Sequence, residues 1–211
     1  MRTVTLDDGT TLRAERVLVA MGRTPRTAGL GLEEVGVRVG ERGMEVDECC
    51  RAAEGVWAVG DVTGQALYTH VAHYQAQITT DNILGRRRPA DYRAVPRVVF
   101  TDPEVGAVGL TAAQAREQGI AVTVSQVELA KMIAAPSIWG RDVDGALGLV
   151  ADRKRRVLVG AWGVGPGVGE WIHVAALAIR AAVPIEVLRD LIIQFPTFSE
   201  GYLYALEQLD V

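Results

Sequence analysis

GVWAVGDV, at residues 55–62, is a run of apolar side chains that ends at Gly60 and Asp61. The run predicts a buried strand, and the Gly-Asp pair places a carboxylate on the turn that follows it. Ligands approach open α/β sheets at such turns, where an acid can accept hydrogen bonds from sugar hydroxyls. A Gly-Asp pair after a strand is also ordinary turn chemistry. The stretch predicts an α/β region with a candidate ligand site at Asp61.

A helix follows this turn. Leu67-Tyr68-Thr69-His70 opens it, and the apolar pattern extends it from about Tyr68 to Leu84, packed on most sides. The first N–H groups of a helix have no partner within the helix, and they carry the positive end of its dipole. This helix start therefore suits the electron-rich edge of an aromatic ligand such as a reduced flavin.

Upstream of the turn the sequence predicts strands. Residues Val4–Ala14 alternate around Asp8-Gly9, which predicts an edge hairpin. The continuous apolar run Arg16–Met21 predicts a central strand buried on both faces, ended by the loop Gly22–Pro25. Further short strands are predicted at Val35–Val39 and Met44–Asp47.

A charged segment that ends in a proline, Leu84–Pro89, predicts a linker, with a domain boundary near Ala90. The first domain would cover residues 1–90 and the second residues 91–211. Strands predicted in the second domain are Arg97–Phe100, Val122–Leu129, Ala146–Ala151 and Val157–Val164. Helices predicted there are Thr111–Gly119, Gly169–Ala182 and Glu200–Leu209. Strands flanked by helices predict an α+β sandwich with an antiparallel sheet.

Composition excludes several classes of protein. Of 211 residues, 49% are hydrophobic and 23% charged, which predicts a globular chain. A formal net charge of −4 offers no basic field for nucleic acid. No apolar run approaches the ~20 residues that cross a bilayer, and no targeting pattern opens the chain. We therefore expect a cytoplasmic protein with no nucleic-acid or membrane partner.

The cysteines and histidines predict no metal site. Cys49 and Cys50 are adjacent, which suits neither a disulfide framework nor paired metal ligands, and a redox role for them is disfavoured. His70 and His73 are spaced i, i+3 but lack a third ligand. His173 lies among apolar residues on a predicted helix, so we expect it to be a packing residue.

Five segments, taken in order, match a known family. They are VLVAMGRTP at 17–25, VWAVGD at 56–61, PRVVFTDPEVGAVGLT at 96–111, VGPGVGEWIHVAALAIR at 164–180 and FPTFSEGY at 195–202. On these segments the chain resembles the C-terminal half of class I pyridine nucleotide-disulfide oxidoreductases. These flavoproteins include dihydrolipoamide dehydrogenase, mercuric reductase and soluble pyridine nucleotide transhydrogenase.

The resemblance implies a fold and a set of cofactors. Residues 1–90 would form the C-terminal part of a Rossmann-like FAD/NAD(P)-binding region, and residues 91–211 an α+β dimerisation domain that makes a homodimer. Gly22 would lie beside the nicotinamide cofactor. Gly60 and Asp61 would lie on the ribityl chain of FAD. The residues implied along the isoalloxazine ring are Leu67, Tyr68, Thr69 and His70.

The chain departs from the family pattern in two ways. No G-x-G-x-x-G follows an early strand and no C-x-x-x-x-C is present, so we expect a fragment that is inactive alone and lacks the main flavin-binding domain. An N-terminal FAD-binding half is a candidate partner. In addition, Phe195 stands where disulfide-reducing members have a histidine oriented by the glutamate that matches Glu200. Phenylalanine cannot transfer a proton, and an aromatic residue here resembles mercuric reductases and transhydrogenases.

Two hypotheses of different class remain open. In the first, the chain is part of an enzyme that carries hydride from NAD(P)H through FAD to a disulfide, a metal, a quinone or a second nicotinamide. Phe195, and more weakly Glu200, would then lie on the acceptor side. In the second, it is a truncated, non-catalytic dimerisation module. The acceptor and the choice between NADH and NADPH are not encoded in these residues.

Overall fold

A computed structural model describes residues 1–138 and 145–211, and the chain divides into two units, Met1–Ala90 and Asp91–Val211. The division follows directly after the charged segment that ends at Pro89. Across both described ranges, no helix has the length and apolar character needed to span a membrane.

Small antiparallel hairpins and one long helix form the first unit. Its strands are β1 Arg2–Thr5, β2 Thr11–Ala14, β3 Val39–Gly40, β4 Gly43–Met44, β5 Arg51–Ala53 and β6 Val56–Trp57. They pair in order as three two-stranded ladders. The predicted edge hairpin is confirmed as β1 and β2, where Leu6 and Thr10 close the turn. Short 3-10 helices occupy Glu33–Val35 and Gly60–Thr63.

The predicted central strand at Arg16–Met21 is wrong for this structure. The segment has no assigned strand, and Leu18 and Met21 are each 91% exposed. A continuous apolar run becomes a buried parallel strand only when strands pair on both sides of it. No strand of the described residues pairs with this segment. The strand predicted at Val35–Val39 is also wrong, because Val35 ends a 3-10 helix, Gly36 is a turn and only Val39 belongs to a strand.

Helix α1 spans Thr69–Ile83, which confirms the predicted helix. Its buried residues are only Val71, Gln75 and Ile78, spaced along one face. The expectation that this helix packs on most sides is therefore wrong.

A five-stranded antiparallel sheet organises the second unit. Its strands are β7 Arg97–Val99, β8 Val105–Gly109, β9 Val122–Glu128, β10 Ala146–Asp152 and β11 Val157–Val164. They lie in the order β7-β8-β11-β10-β9. Strand β9 alternates between buried and exposed side chains as its sequence pattern predicts. The antiparallel α+β architecture is confirmed.

Helices cover both faces of this sheet unequally. They are α2 Ala112–Glu117, α3 Leu129–Met132, α4 Ala135–Ile138, α5 Val168–Trp171, α6 His173–Arg180, α7 Ile185–Arg189 and α8 Gly201–Glu207. Helix α6 packs on β11, and α8 packs on β10 and β9. Leu149 belongs to this larger core, whereas its neighbour Val150 points into a smaller core with Ala115 of α2.

Tyr202 anchors the end of the chain to this core. Its side chain is 1% exposed, and its hydroxyl donates a hydrogen bond to the Trp171 carbonyl at 3.2 Å. Burial raises the pKa of Tyr202 above its usual range. Gly163 lets the Trp171 ring approach the sheet, since a Cβ there would lie 2.2 Å from that ring.

Candidate functional site

The turn that carries Asp61 is built on a glycine. Val59 is extended, and Gly60 then takes a φ of +80°, a conformation that side chains rarely adopt. The chain continues as the 3-10 helix Gly60–Thr63, where the Thr63 hydroxyl donates to the Gly60 carbonyl at 2.9 Å. This reversal turns Asp61 away from the preceding strand.

Gln75 holds the turn in place from helix α1. Its amide oxygen accepts the Gly60 N–H at 2.6 Å, and its amide nitrogen donates to the Thr63 hydroxyl at 3.3 Å. The side chain is fully buried at 0% exposure. Sequence reasoning missed this residue, although a glutamine on the buried helix face between Val71 and Ile78 is a signal that it has a specific partner.

Asp61 is the accessible acid of the turn. Its Oδ2 lies 2.5 Å from Nη1 of Arg23, with 41% of the Asp61 side chain and 67% of the Arg23 side chain exposed. Exposed ion pairs of this kind contribute little free energy. A ligand hydroxyl can therefore compete for the Asp61 carboxylate at small cost.

Asp61 lies at a cavity of about 320 Å³ within the first unit. Residues on its walls include Arg23, Arg42, Asp61, Val62, Gly64 and Leu67. The structure thus brings together Asp61 and Leu67 from the predicted set. Arg23 and Arg42 were not predicted, although Arg23 directly follows Gly22 in the loop singled out from the sequence.

The start of helix α1 lies next along the chain. Tyr68 is its extended N-cap and provides no side-chain cap, while Thr69 and His70 in the first turn are exposed. The Tyr68 and His70 rings stack at a centroid distance of 5.2 Å with 16° between their planes. None of these three residues lines the 320 Å³ cavity. The stacked Tyr68 and His70 rings thus lie at a helix start that has no side-chain cap.

Gly22 is an exposed glycine with a φ of +110°. An added Cβ would meet no heavy atom of the described residues within 4 Å. A planar ligand could approach the backbone there without obstruction. Gly22 is joined to the cavity only through its neighbour Arg23.

Phe195 lies on an exposed corner of the second unit. Its side chain is 62% exposed, and the Phe195–Pro196 peptide bond is cis. The Thr197 hydroxyl donates to the Gln194 carbonyl at 2.7 Å, and the Gln194 amide donates to the Phe195 carbonyl at 2.8 Å. These bonds fix the corner while leaving the ring outside the core.

Glu200 has a different environment from Phe195. It is 8% exposed, and its Oε2 accepts the Thr197 N–H at 3.1 Å in a capping box. The carboxylate therefore stabilises the start of the last helical segment. This contact gives Glu200 a structural function without a histidine partner.

The cysteines and histidines singled out from the sequence form no metal or redox site among the described residues. Cys50 is buried and Cys49 is half-buried. Within residues 1–138 and 145–211, no three His, Cys, Asp or Glu side chains converge as metal ligands. In the second unit, His173 is exposed, with Nδ1 3.3 Å from the Glu170 carbonyl, so the expectation that it packs in the core is wrong. Its helix turns it away from the sheet.

Comparison with protein families gives two matches. The family model described as "Pyridine nucleotide-disulphide oxidoreductase, dimerisation domain" matches residues 95–206, and the one described as "Pyridine nucleotide-disulphide oxidoreductase" matches residues 1–76. The chain is 36% identical over 199 residues to dihydrolipoyl dehydrogenase of Geobacillus stearothermophilus, covering 93% of this chain and 42% of the relative. It is 40% identical over 192 residues to mercuric reductase of Streptomyces lividans, covering 89% and 40%.

Solved structures show the same similarity. LpdA from Mycobacterium tuberculosis superposes with a TM-score of 0.87 at 29% identity, covering 98% of this chain and 45% of that one. The HOCl-induced flavoprotein disulfide reductase RclA from Escherichia coli gives a TM-score of 0.85 at 30% identity, covering 98% and 48%. The chain thus spans less than half the length of these relatives.

Proposed function

The chain belongs to the pyridine nucleotide-disulphide oxidoreductase family, and from that premise we propose that it serves an FAD-dependent enzyme that passes a hydride from NAD(P)H through FAD to an acceptor. Residues 1–90 contribute the C-terminal part of the FAD/NAD(P)-binding region. Residues 91–211 contribute the dimerisation domain and make a homodimer. A flavin-binding half, on the same or another polypeptide, supplies the other contacts.

The observation that carries this proposal is the position of Asp61. Its half-exposed carboxylate lines a cavity beside Arg23, and the exposed first turn of α1 follows in the chain. Asp61 accepts hydrogen bonds from the ribityl hydroxyls of FAD. The main-chain N–H groups of Thr69 and His70 favour electron density at the ring edge, because they lie at the positive end of a 15-residue helix.

FAD, when bound, supplies the hydride-accepting and hydride-donating chemistry. The residues described here fit part of that group. The 320 Å³ cavity and the helix start suit a polyol chain and a ring edge. Gly22 leaves open backbone surface for a nicotinamide ring. The chain's own residues bind and orient FAD, so Asp61 and the start of α1 act as positioning groups.

The acceptor side involves Phe195. An exposed aromatic ring on a fixed corner excludes water and shapes a pocket without taking or giving protons. This character suits an acceptor that needs no thiolate leaving group, such as a quinone, a metal ion or a second nicotinamide. Glu200, held in its capping box, serves this corner by fixing the backbone.

A non-catalytic dimerisation module is the second candidate function. It is favoured by the contrast between the exposed Leu18 and Met21 and the continuous core of the second unit. The two candidates differ in one readily measured property. If the chain completes a flavin site, adding it to the flavin-binding half raises the amount of FAD that co-purifies, whereas a non-catalytic module leaves that amount as it is for the half alone.

The test compares Asp61→Asn with Glu54→Gln in that two-part protein. Glu54 is an exposed acid of the same unit that lies outside the cavity. We expect Asp61→Asn to lower FAD retention and NAD(P)H-dependent dye reduction about tenfold, because a neutral amide is a weaker acceptor than a carboxylate. Glu54→Gln should leave both unchanged. Equal retention in the two variants would contradict the assignment of Asp61.

Phe195 is tested in the same protein by steady-state kinetics. Phe195→Ala should lower quinone or transhydrogenase-type turnover, because it opens the acceptor side to water. Phe195→His should change lipoamide or glutathione disulfide turnover little unless a redox cysteine pair is present. Phe100→Ala, at a ring that is 81% exposed, is the control. Wild-type reduction of either disulfide at the rate of a histidine-bearing relative would overturn the assignment.

A further inference from the structure

A second cavity lies wholly within the second unit. Its volume is about 540 Å³, within the range of small-molecule sites. It opens between the first part of β11, helix α2 and the segment that precedes β7. None of the residues assigned above to the cofactors or the acceptor lines it.

The floor of this cavity is apolar. Val157, Leu158 and Ile179 are at most 7% exposed, and Leu110 and Ile120 complete the surface. A ligand with an apolar body would remove this surface from water, which is favourable in proportion to the area covered.

Three arginines from two distant segments of the chain line the same cavity. Arg93 precedes β7, Arg97 lies within it, and Arg155 lies on the turn between β10 and β11. Arg93 and Arg97 belong to one segment and Arg155 to the charged turn at 153–156, so the fold brings cations from two distant parts of the chain to one cavity.

Charge is not balanced at this lining. The Asp91 carboxylate accepts hydrogen bonds from Nε of Arg93 at 3.0 Å, from Nη2 of Arg93 at 2.6 Å and from Nη1 of Arg180 at 2.5 Å, so one carboxylate serves two guanidinium groups. The Arg97 guanidinium donates to the neutral Gly109 carbonyl at 3.0 Å. Arg97 and Arg155 form no ion pair with any described residue, and none of the lining residues is acidic.

Neutral hydrogen-bonding groups complete the lining. Gln114 and Gln118 approach from α2 and its C-terminus, and Tyr92 from the other side. The Gln114 oxygen is engaged by Thr111 at the start of α2, so this wall is fixed in place.

We propose that this cavity binds a small organic anion. Its phosphate or carboxylate group is held by Arg97 and Arg155, and its apolar body lies on the floor formed by Val157, Leu158 and Ile179. Guanidinium groups bind both oxyanions through paired N–H donors. The inference does not depend on the flavin assignment, because every residue involved lies in the second unit.

Calorimetric titration of the whole 211-residue chain tests the proposal with four probes: phenyl phosphate, benzoate, benzyl alcohol and inorganic phosphate. Phenyl phosphate or benzoate should bind at least tenfold more tightly than benzyl alcohol, which lacks charge, and than inorganic phosphate, which lacks the apolar ring. The tighter of the two ring anions identifies the oxyanion. No saturable binding of either ring anion, or equal affinity for benzyl alcohol, would overturn the proposal.

Arg155→Gln and Lys154→Gln provide the matched pair. Both residues are exposed cations on one turn, but only Arg155 lines the cavity. Arg155→Gln should weaken the ring anion about tenfold while Lys154→Gln leaves it unchanged. Equal effects of the two substitutions would mean that the anion is attracted by the overall positive charge of the turn and not by a site at Arg155. Among the described residues no hydrogen bond or ion pair involves the exposed Arg155 side chain, so the variant should remain folded, which a thermal melt checks.

Discussion

Asp91 shows how a single carboxylate can stabilise the second unit. It accepts hydrogen bonds from Arg93 and Arg180, and these partners lower the pKa of Asp91 to about 2, the Arg93 hydrogen bonds most of all. Because folding lowers this pKa, the contribution is fully present above the unfolded value of about 3.9. It is lost as the pH falls from about 4 to about 2.

Asp91→Asn should therefore lower the melting temperature at pH 7 by about 2–4 °C. The difference from wild type should shrink as the pH falls below 4 and should be mostly lost once the pH reaches the folded pKa of about 2. Thermal melts followed by circular dichroism measure this. Asp210→Asn is the control, because its 86% exposed side chain pairs with Arg153 in solvent. A constant difference between pH 7 and pH 2 would mean that the Asp91 charge is not the cause.

The positions of single residues could be predicted from the sequence only where neighbouring residues determine them. Gly60 and Asp61 follow an apolar run, and that pattern alone predicted the turn on which they lie. Gln75, fifteen residues later, was not, because its partners come from another element. Arg23 was missed for the same reason, since its contact with Asp61 joins positions 38 residues apart.

At the scale of elements, α1 and the Gly60–Thr63 turn act as one piece through Gln75. Gln75→Leu should destabilise the first unit by about 1–3 kcal/mol, because the buried Gly60 N–H loses its acceptor. Gln77→Leu, on the exposed side of the same helix, should change stability by less than about 0.5 kcal/mol. Urea denaturation measures both. If both variants lost the same free energy of unfolding, the cause would be a change in helix propensity and not the lost Gln75 hydrogen bond.

Elements with their own periodicity or caps were predictable. Strand β9 alternates, and α2 begins at Thr111 with a capping box visible in the sequence. The strand prediction for Arg16–Met21 was wrong because an apolar run does not show which strands will pair with it. Helix α7 was missed because five residues are too few to show a helical period.

At the scale of the whole molecule, the second unit carries large exposed apolar side chains. Leu177 is 68% exposed and Ile192 is 96% exposed. In a symmetric dimer one patch meets its own copy, so such side chains become buried in both subunits. We expect a homodimer through residues from about Arg97 to Val211. The fold class and the family could be predicted from ordered sequence segments. The exposure of Leu177 and Ile192 could be read only from the structure.

Sedimentation equilibrium at tens of micromolar tests this expectation. Wild-type chain should sediment as a dimer, and Ile192→Asp should weaken the dimer at least tenfold, because a charge would be buried at the contact. Leu12→Asp, at a side chain of the first unit that is 53% exposed, should not. A wild-type monomer under these conditions would contradict the expected homodimer.

We propose above that this chain supplies one wall of a flavin site, at Asp61 and the start of α1. Titration of the isotope-labelled chain with FAD, followed by amide chemical shifts and calorimetry, tests it most directly. We expect affinity weaker than micromolar, because the partner half supplies the other contacts, with shift changes at Gly60, Asp61, Thr69 and His70 that Asp61→Ala abolishes. Submicromolar affinity, or shift changes that persist unaltered in Asp61→Ala, would contradict it.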